Sequence, residues 1–284
     1  MKSFEFIVQK SLFSAAAASV FITIGIFCFM IFMGLPVLGE GHLFDLITRP
    51  WLPGEKIFGI YPMILGSLTI SSLAMGIALP LSLGCAALIS VISPTALGRV
   101  MKGMVSVMTG IPTVIYGFIG IFLLVPLVRN VFSEGSGLCI LSAALLLALL
   151  VSPTMILLFS KTFDSVPDSY LKAADALGCT RVQKLIYVVL PNSIQRMATG
   201  FLLSAGRTMG DTMIALMVAG NAVAIPGAIT DSARTLTAHI ALLTAADFNS
   251  MAFKTLFVCG MLLYLFTLTL TLAATFITAQ KNKT

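Results

Sequence analysis

Apolar residues gather along the chain into six long runs, at about 11–35, 64–92, 104–128, 138–160, 197–222 and 252–279, with short polar stretches between them. An α-helix rising 1.5 Å per residue needs roughly 20 apolar residues to cross the hydrocarbon of a bilayer. The pattern therefore predicts an all-α membrane protein with six transmembrane helices, in one domain covering 1–284. The first run follows Lys2 and Lys10, as the apolar part of a signal peptide would. It is too long for that role and no small-residue cleavage pattern follows it, so it reads as a retained anchor.

One polar stretch, 161–195, has a pattern of its own. Pro167 suits the first turn of a helix. Tyr170, Ala173, Ala174 and Leu177 then share one face. Gly178 supplies a stop, and Thr180 with Gln183 forms a T-x-x-Q capping box that restarts a helix toward Pro191. The expectation is two short helices outside the membrane with a glycine turn between them. The small face at Ala173 and Ala174 suits docking against another surface.

Composition agrees with the runs. Of 284 residues 58% are hydrophobic and 10% charged, against about 25% charged in soluble domains. With the N-terminus inside, Lys2, Lys10, Arg99, Lys102, Lys161, Lys172, Arg181, Lys184, Arg196, Lys281 and Lys283 fall on one side of the membrane. Arg49, Lys56, Arg129, Arg234 and Lys254 fall on the other. The cation-rich side is the cytoplasmic one, which places both termini inside. That bias accounts for the net charge of +6 without a nucleic acid partner. Cys28, Cys85, Cys139, Cys179 and Cys259 are widely spaced, and His42 and His239 fall in outer loops with no thiol nearby in sequence. Neither a metal site nor a disulfide framework is indicated. Trp51 and Tyr61, in the outer loop 36–63, suit a membrane–water interface. The "IPGAI" of segment 223–251 would interrupt a helix in a re-entrant or interfacial turn.

Two charges stand inside the fifth run, in "LLSAGRTMGDTMIALMVAGNA": Arg207 and Asp211, four residues apart. A charge at the bilayer centre costs roughly 2.5–3.5 kcal/mol on insertion scales, so both must face protein or water. At this spacing on a helix they share a face and reach each other. They form either a structural pair or an anion contact, in which the arginine's planar fork binds an oxyanion and the aspartate holds it in place. Gly206 and Gly210 beside them leave room for helix packing or an anion path. In "GIPTVIYGF", Pro112 and Gly117 break the third run, so that the hydroxyls of Thr113 and Tyr116 can face a wet cavity.

The run "LKAADALGCTRVQKLIYVVLP" resembles the EAA signature of ABC-importer permeases, with Ala173, Ala174, Gly178, Val188, Leu190 and Pro191 on the pattern. "FGIYPMILGSL", "GIPTVIYGF", "GRTMGDTM", "LMVAGN" and "TLTAHIA" occur in the order seen in PstC-type permeases of the phosphate-specific importer. The chain departs from that family at Lys172 and Asp211, where glutamate is usual, at Ser67 for threonine and at Thr208 for alanine. The resemblance implies a type I ABC-importer permease fold, with its core at about 64–279 and a coupling loop at about 161–195. It implies a non-catalytic subunit without cofactor, passing inorganic phosphate inward across the cytoplasmic membrane. The implied substrate path comprises Arg207, Asp211, Thr212, Thr113 and Tyr116. Coupling to the ATPase falls to Ala173, Ala174, Asp175, Gly178, Leu190 and Pro191, with the charge at the docking contact inverted by Lys172. The implied partners are a PstA-like second permease, a PstB-like ATPase dimer and a PstS-like periplasmic binding protein. No G-x-x-x-x-G-K-[ST] occurs in this chain. Other oxyanions (molybdate, tungstate, sulfate, a phosphonate) remain alternatives. An ion-coupled secondary transporter would show paired broken helices in an inverted repeat, and a membrane enzyme would need a catalytic constellation that the runs lack.

Overall fold

A computed structural model of the chain describes residues 2–38, 43–132, 135–248 and 250–281. His42 and Lys283 lie outside them. Helix α1 (Lys2–Leu38) is apolar on all sides, and most of its membrane-length stretch remains exposed. It leans on the last helix, through Phe27 stacked on Tyr264 at 4.6 Å and Phe29 edge-on to Phe257. After α2 (Leu43–Thr48), a two-stranded ribbon pairs β1 (Trp51–Leu52) with β2 (Ile57–Phe58) in antiparallel register. Trp51 is not an interfacial anchor, as its sequence position suggests. It is buried with Leu46, Ile60, Met63, Leu236, Val258 and Cys259 in a small apolar cap.

The main core is built on two helices, α3 (Tyr61–Ala87) and α7 (Ile140–Asp164). Ser82 Oγ donates to Ser152 O and Ser90 Oγ to Ser160 O, the same offset twice, so the two helices run parallel. Ala74, Ala78, Ala86, Ala143, Ala144 and Ala148 are all buried in this core. Small side chains let backbones approach closely where lipid gives no hydrophobic drive to associate.

The third apolar run is not a single span. Helix α4 (Thr95–Met108) ends before a turn at 109–112, and Pro112 caps the start of α5 (Thr113–Ile119). The chain then continues through a π turn (Gly120–Leu124) into α6 (Val125–Phe132). Pro112 therefore precedes the spanning helix and does not break it. Position 112 has no amide to give, and helix starts tolerate that loss.

The polar stretch after α7 forms α8 (Asp168–Ala176), a turn with Gly178 at φ 74°, and α9 (Arg181–Lys184). The second helix does not stop at Pro191. It passes through a π turn (Leu185–Val189) into α10 (Leu190–Gly210), because Leu190 N bonds Leu185 O and widens the turn just ahead of the proline ring.

The fifth run, 197–222, is also interrupted. Asp211 is extended (ψ 125°), and the short α11 (Met213–Val218) starts after it. Gly220 (φ 86°) and Asn221 (φ 58°) then turn the chain into an irregular loop, which pairs Gly220 with Ala233 before α12 (Leu236–Leu243) and α13 (Met251–Lys281). Among the described residues, five helical stretches are long and apolar enough to cross a membrane: Glu5–Leu35, Tyr61–Ile92, Thr113–Phe132, Ile140–Asp164 and Met251–Ala279. Helix α10 is long, but Asn192, Gln195, Arg196 and Arg207 make it more polar than these.

Candidate functional site

The break after α10 positions the two charges, though not as a pair. The salt bridges among the described residues join Asp45 to Arg49, Lys102 to Asp164 and Asp175 to Lys184; Arg207 and Asp211 form none. Asp211 Oδ1 accepts the backbone amide of Ile214 at 2.9 Å, so its carboxylate caps the start of α11. Its carbonyl accepts the Thr237 hydroxyl at 3.0 Å. The i, i+4 expectation fails because the helix ends at Gly210, so the two side chains do not share a helical face.

Arg207 sits in the last turn of α10, and Nη1 donates to Thr154 Oγ1 on α7 at 3.2 Å. Carbonyls at a helix C-terminus carry partial negative charge, which favours a cation there. The guanidinium is exposed, while its neighbours Thr208 and Met209 are buried. Thr208 binds back to Ser204 O and touches Met75 Sδ on α3. A positive fork with most of its donors unspent therefore stands at a discontinuity in the bundle.

The other sequence-selected residues lie on α5 and α11. These helices pack together: a Cβ on Gly117 would meet Met217 Sδ at 2.6 Å. Tyr116 is buried, and its hydroxyl donates to Met108 O at 3.3 Å, tying α5 back to the end of α4. Thr113 and Thr212 are partly exposed at the starts of α5 and α11.

At one end of the bundle the α8–α9 elbow is held by several bonds. Both halves of the Thr180–Gln183 capping box are present, at 2.8 and 3.3 Å. Asp175 pairs with Lys184 at 2.6 Å across the glycine turn. Arg181 Nη1 reaches the carbonyl of Ile92, at the end of the π turn after α3, at 2.6 Å. Arg196 on α10 bonds the Ser165 hydroxyl. The expected face divides in two. Ala174 is buried and Leu171 packs against the core, whereas Tyr170, Ala173, Leu177 and Gly178 are exposed, Leu177 at 84%. An apolar side chain this bare beside a rigid turn suits a docking contact. Leu190 and Pro191 lie inside the long helix, away from this tip.

Sequence reasoning missed Thr154, Arg181 and Arg234. Thr154 and Arg181 make contacts 53 and 89 residues away in sequence, and no local pattern reveals them.

The family described as "Binding-protein-dependent transport system inner membrane component" matches residues 76–282. The "Probable ABC transporter permease protein YqgH" of Bacillus subtilis is 32% identical, over 87% of this chain and 81% of its own length. The "Phosphate transport system permease protein PstC" of Mesorhizobium japonicum is 28% identical, over 89% of this chain and 84% of its own. Among solved structures, a chain of a bacterial alginate ABC transporter superposes with a TM-score of 0.67 at 14% identity, covering 99% of this chain and 98% of that one. A chain of the MetNI methionine ABC transporter gives 0.60 at 17% identity, covering 84% and 98%. At these identities the structural likeness is one of fold.

Proposed function

The chain belongs to the family of binding-protein-dependent transport system inner membrane components, and on that premise we propose that it is the PstC-type permease subunit of an ATP-driven importer carrying inorganic phosphate. It is a multi-pass inner-membrane subunit that works with ATP-binding and substrate-binding partners. Those partners are a PstB-like ATPase pair and a PstS-like binding protein, and the bundle closes against a PstA-like second permease. Both termini lie on the cytoplasmic side, as does the α8–α9 elbow.

The observation that carries this reading is Arg207, an exposed guanidinium at a helix break that forms no salt bridge, although the charge of Asp211 lies close enough to act on it. A fork with free donors recognises a planar face of a tetrahedral oxyanion. Helix breaks at membrane depth are tolerated where they line a cavity. Thr154 orients the fork, and Thr113 and Thr212 add hydroxyls along the path. The exposed tip of α8, Tyr170, Ala173, Leu177 and Gly178, enters the ATPase and receives its movement. Relatives named as phosphate transport permeases support phosphate as the anion.

The test is reconstitution of the four-component complex in vesicles, with ATP-dependent uptake of radiolabelled phosphate. Uptake is expected to resist competition by sulfate and molybdate and to disappear in Arg207→Gln, with the complex still assembled. Uptake of another oxyanion in preference to phosphate overturns the substrate; normal uptake by Arg207→Gln removes this residue from the path.

A further inference from the structure

A second arginine stands at the opposite end of the bundle from the elbow. The carbonyl of Arg234 lies beside the start of α3, where a Cβ on Gly66 would meet it at 2.4 Å. Its side chain is half-buried, and Nε donates to Asn221 O at 3.0 Å. It takes part in none of the salt bridges among the described residues. Neighbouring carboxylates are already engaged: Asp231 Oδ2 accepts the amides of Gly227 and Ala228, both at 2.8 Å, and Asp211, whose carbonyl accepts the Thr237 hydroxyl, caps α11. Burial pulls the Arg234 pKa below the ordinary arginine value, as expected of a charge short of solvation.

The polar groups near Arg234 are also under-satisfied. Asn221 is held at φ 58°, and its Nδ2 is spent on Leu216 O at 2.6 Å. Asn221 Oδ1 is buried without a hydrogen-bond partner, and so are both ring nitrogens of His239. Buried polar groups normally find partners, and each exception calls for a reason. Non-glycine residues at positive φ, like Asn221, persist where surrounding structure holds them, and they gather at functional sites.

Helix α3 measures the distance to the first arginine. Met75 touches Thr208, next to Arg207, and Gly66 touches Arg234. Nine residues of helix separate these two contacts, a rise of roughly 13 Å. The backbone segments that carry Arg207 and Arg234 thus meet one helix at two depths, and neither arginine takes part in a salt bridge among the described residues.

We propose that Arg234 is a second anion contact, which holds the oxyanion at the end of the bundle facing the binding protein before it moves on to Arg207. This rests on the oxyanion-importer reading above. The Nη donors bind the anion while Nε stays anchored to Asn221 O, so the fork is positioned before the ligand arrives. Each station binds part of the time, and neither needs the affinity that would trap the anion.

The experiment compares Arg234→Gln and Arg234→Lys with the unaltered chain in the reconstituted four-component complex, using the oxyanion that the unaltered complex carries. Loss of a charge-assisted hydrogen bond corresponds to a fall in uptake of about tenfold or more for Arg234→Gln. Arg234→Lys keeps the charge but loses the fork, and is expected to retain more uptake than Arg234→Gln and less than the unaltered chain. Thermal unfolding of the purified complexes supplies the structural readout, and both variants are expected to unfold close to the parent. Unchanged uptake in Arg234→Gln overturns the proposal. So does equal loss in both variants accompanied by a lowered unfolding temperature, because the residue then only braces the loop. Absence of oxyanion uptake by the unaltered complex would sink the importer reading, a different result from either of these.

Discussion

The Asp211 carboxylate accepts the Ile214 amide at 2.9 Å, and this bond starts a new helix where the apolar run had promised a continuous one. An acid four residues from an arginine would ordinarily neutralise it. Here the acid is used by the backbone, and Arg207 turns to Thr154 instead.

Capping by Asp211 has a direct consequence. Asparagine caps helices about as well as aspartate, whereas alanine costs about 1 kcal/mol. In detergent, Asp211→Asn is expected to unfold at nearly the parent temperature and Asp211→Ala measurably lower. Equal losses in the two variants would mean that capping is not what the carboxylate does.

Thr154 accepts a hydrogen bond from Arg207, and in the proposed path it orients the guanidinium without touching the anion. Thr154→Val removes one hydrogen bond to a charged group and keeps the side-chain volume. A bond of this kind contributes about 1.5–3 kcal/mol, part of which solvent at the exposed guanidinium replaces. The expected result is a several-fold drop in transport rate with the complex intact. A rate equal to the parent's would show that the helix terminus alone holds the guanidinium.

Gly178 tests the elbow. Its φ of 74° suits glycine, and a Cβ there would meet nothing within 4 Å. Any loss on substitution therefore comes from backbone strain or from a partner, not from crowding inside this chain. Asn tolerates the left-handed region better than β-branched residues do. Gly178→Asn is expected to keep the ATPase bound through purification, while Gly178→Val uncouples or releases it. Full coupling in Gly178→Val would count against docking at this tip.

Close approaches can be ranked. A Cβ on Gly98 would meet the carbonyl oxygen of Ile89 at 2.4 Å, which is backbone and cannot step aside, whereas at Gly117 the obstacle is the thioether of Met217. Overpacking costs typically about 1–3 kcal/mol, and methionine adapts more readily than backbone. Thermal unfolding should show Gly98→Ala lowered clearly more than Gly117→Ala; the reverse order would contradict the packing described.

His239 predicts a pH dependence. Burial, with Arg234 adding to it, holds its pKa down at about 4, below the usual 6.5. Between these values the unfolded chain takes up a proton that the folded chain does not, so stability falls as pH drops from about 6.5 toward 4 and is level above. The full span corresponds to roughly 3.5 kcal/mol at most. His239→Leu, packed against Trp51, should flatten the profile of unfolding temperature against pH; an unchanged slope would place the titration elsewhere.

Much of the architecture is legible along the chain because lipid imposes a simple rule: each crossing needs a long apolar helix. The runs at 11–35, 64–92 and 252–279 each lie within one of the helices long and apolar enough to cross, and the run at 138–160 does so but for its first two residues. The Thr180–Gln183 box and the Gly178 turn are equally local, since their partners lie within three or four residues. The breaks were harder to see. Hydropathy averages over a turn such as 109–112 or the kink at Asp211, and Pro191 looks like a terminator until a π turn makes room for it.

The sequence by itself determined that this is a helical membrane chain with an ordered polar elbow and an arginine kept within an apolar run. Those properties follow from composition and from contacts a few residues long. Only the tertiary structure decided what the arginine touches. Its lack of a salt bridge with Asp211, its bond to Thr154 and the Arg234 carbonyl beside Gly66 depend on which helices meet. Packing between segments sets these meetings, and spacing along one segment does not encode them.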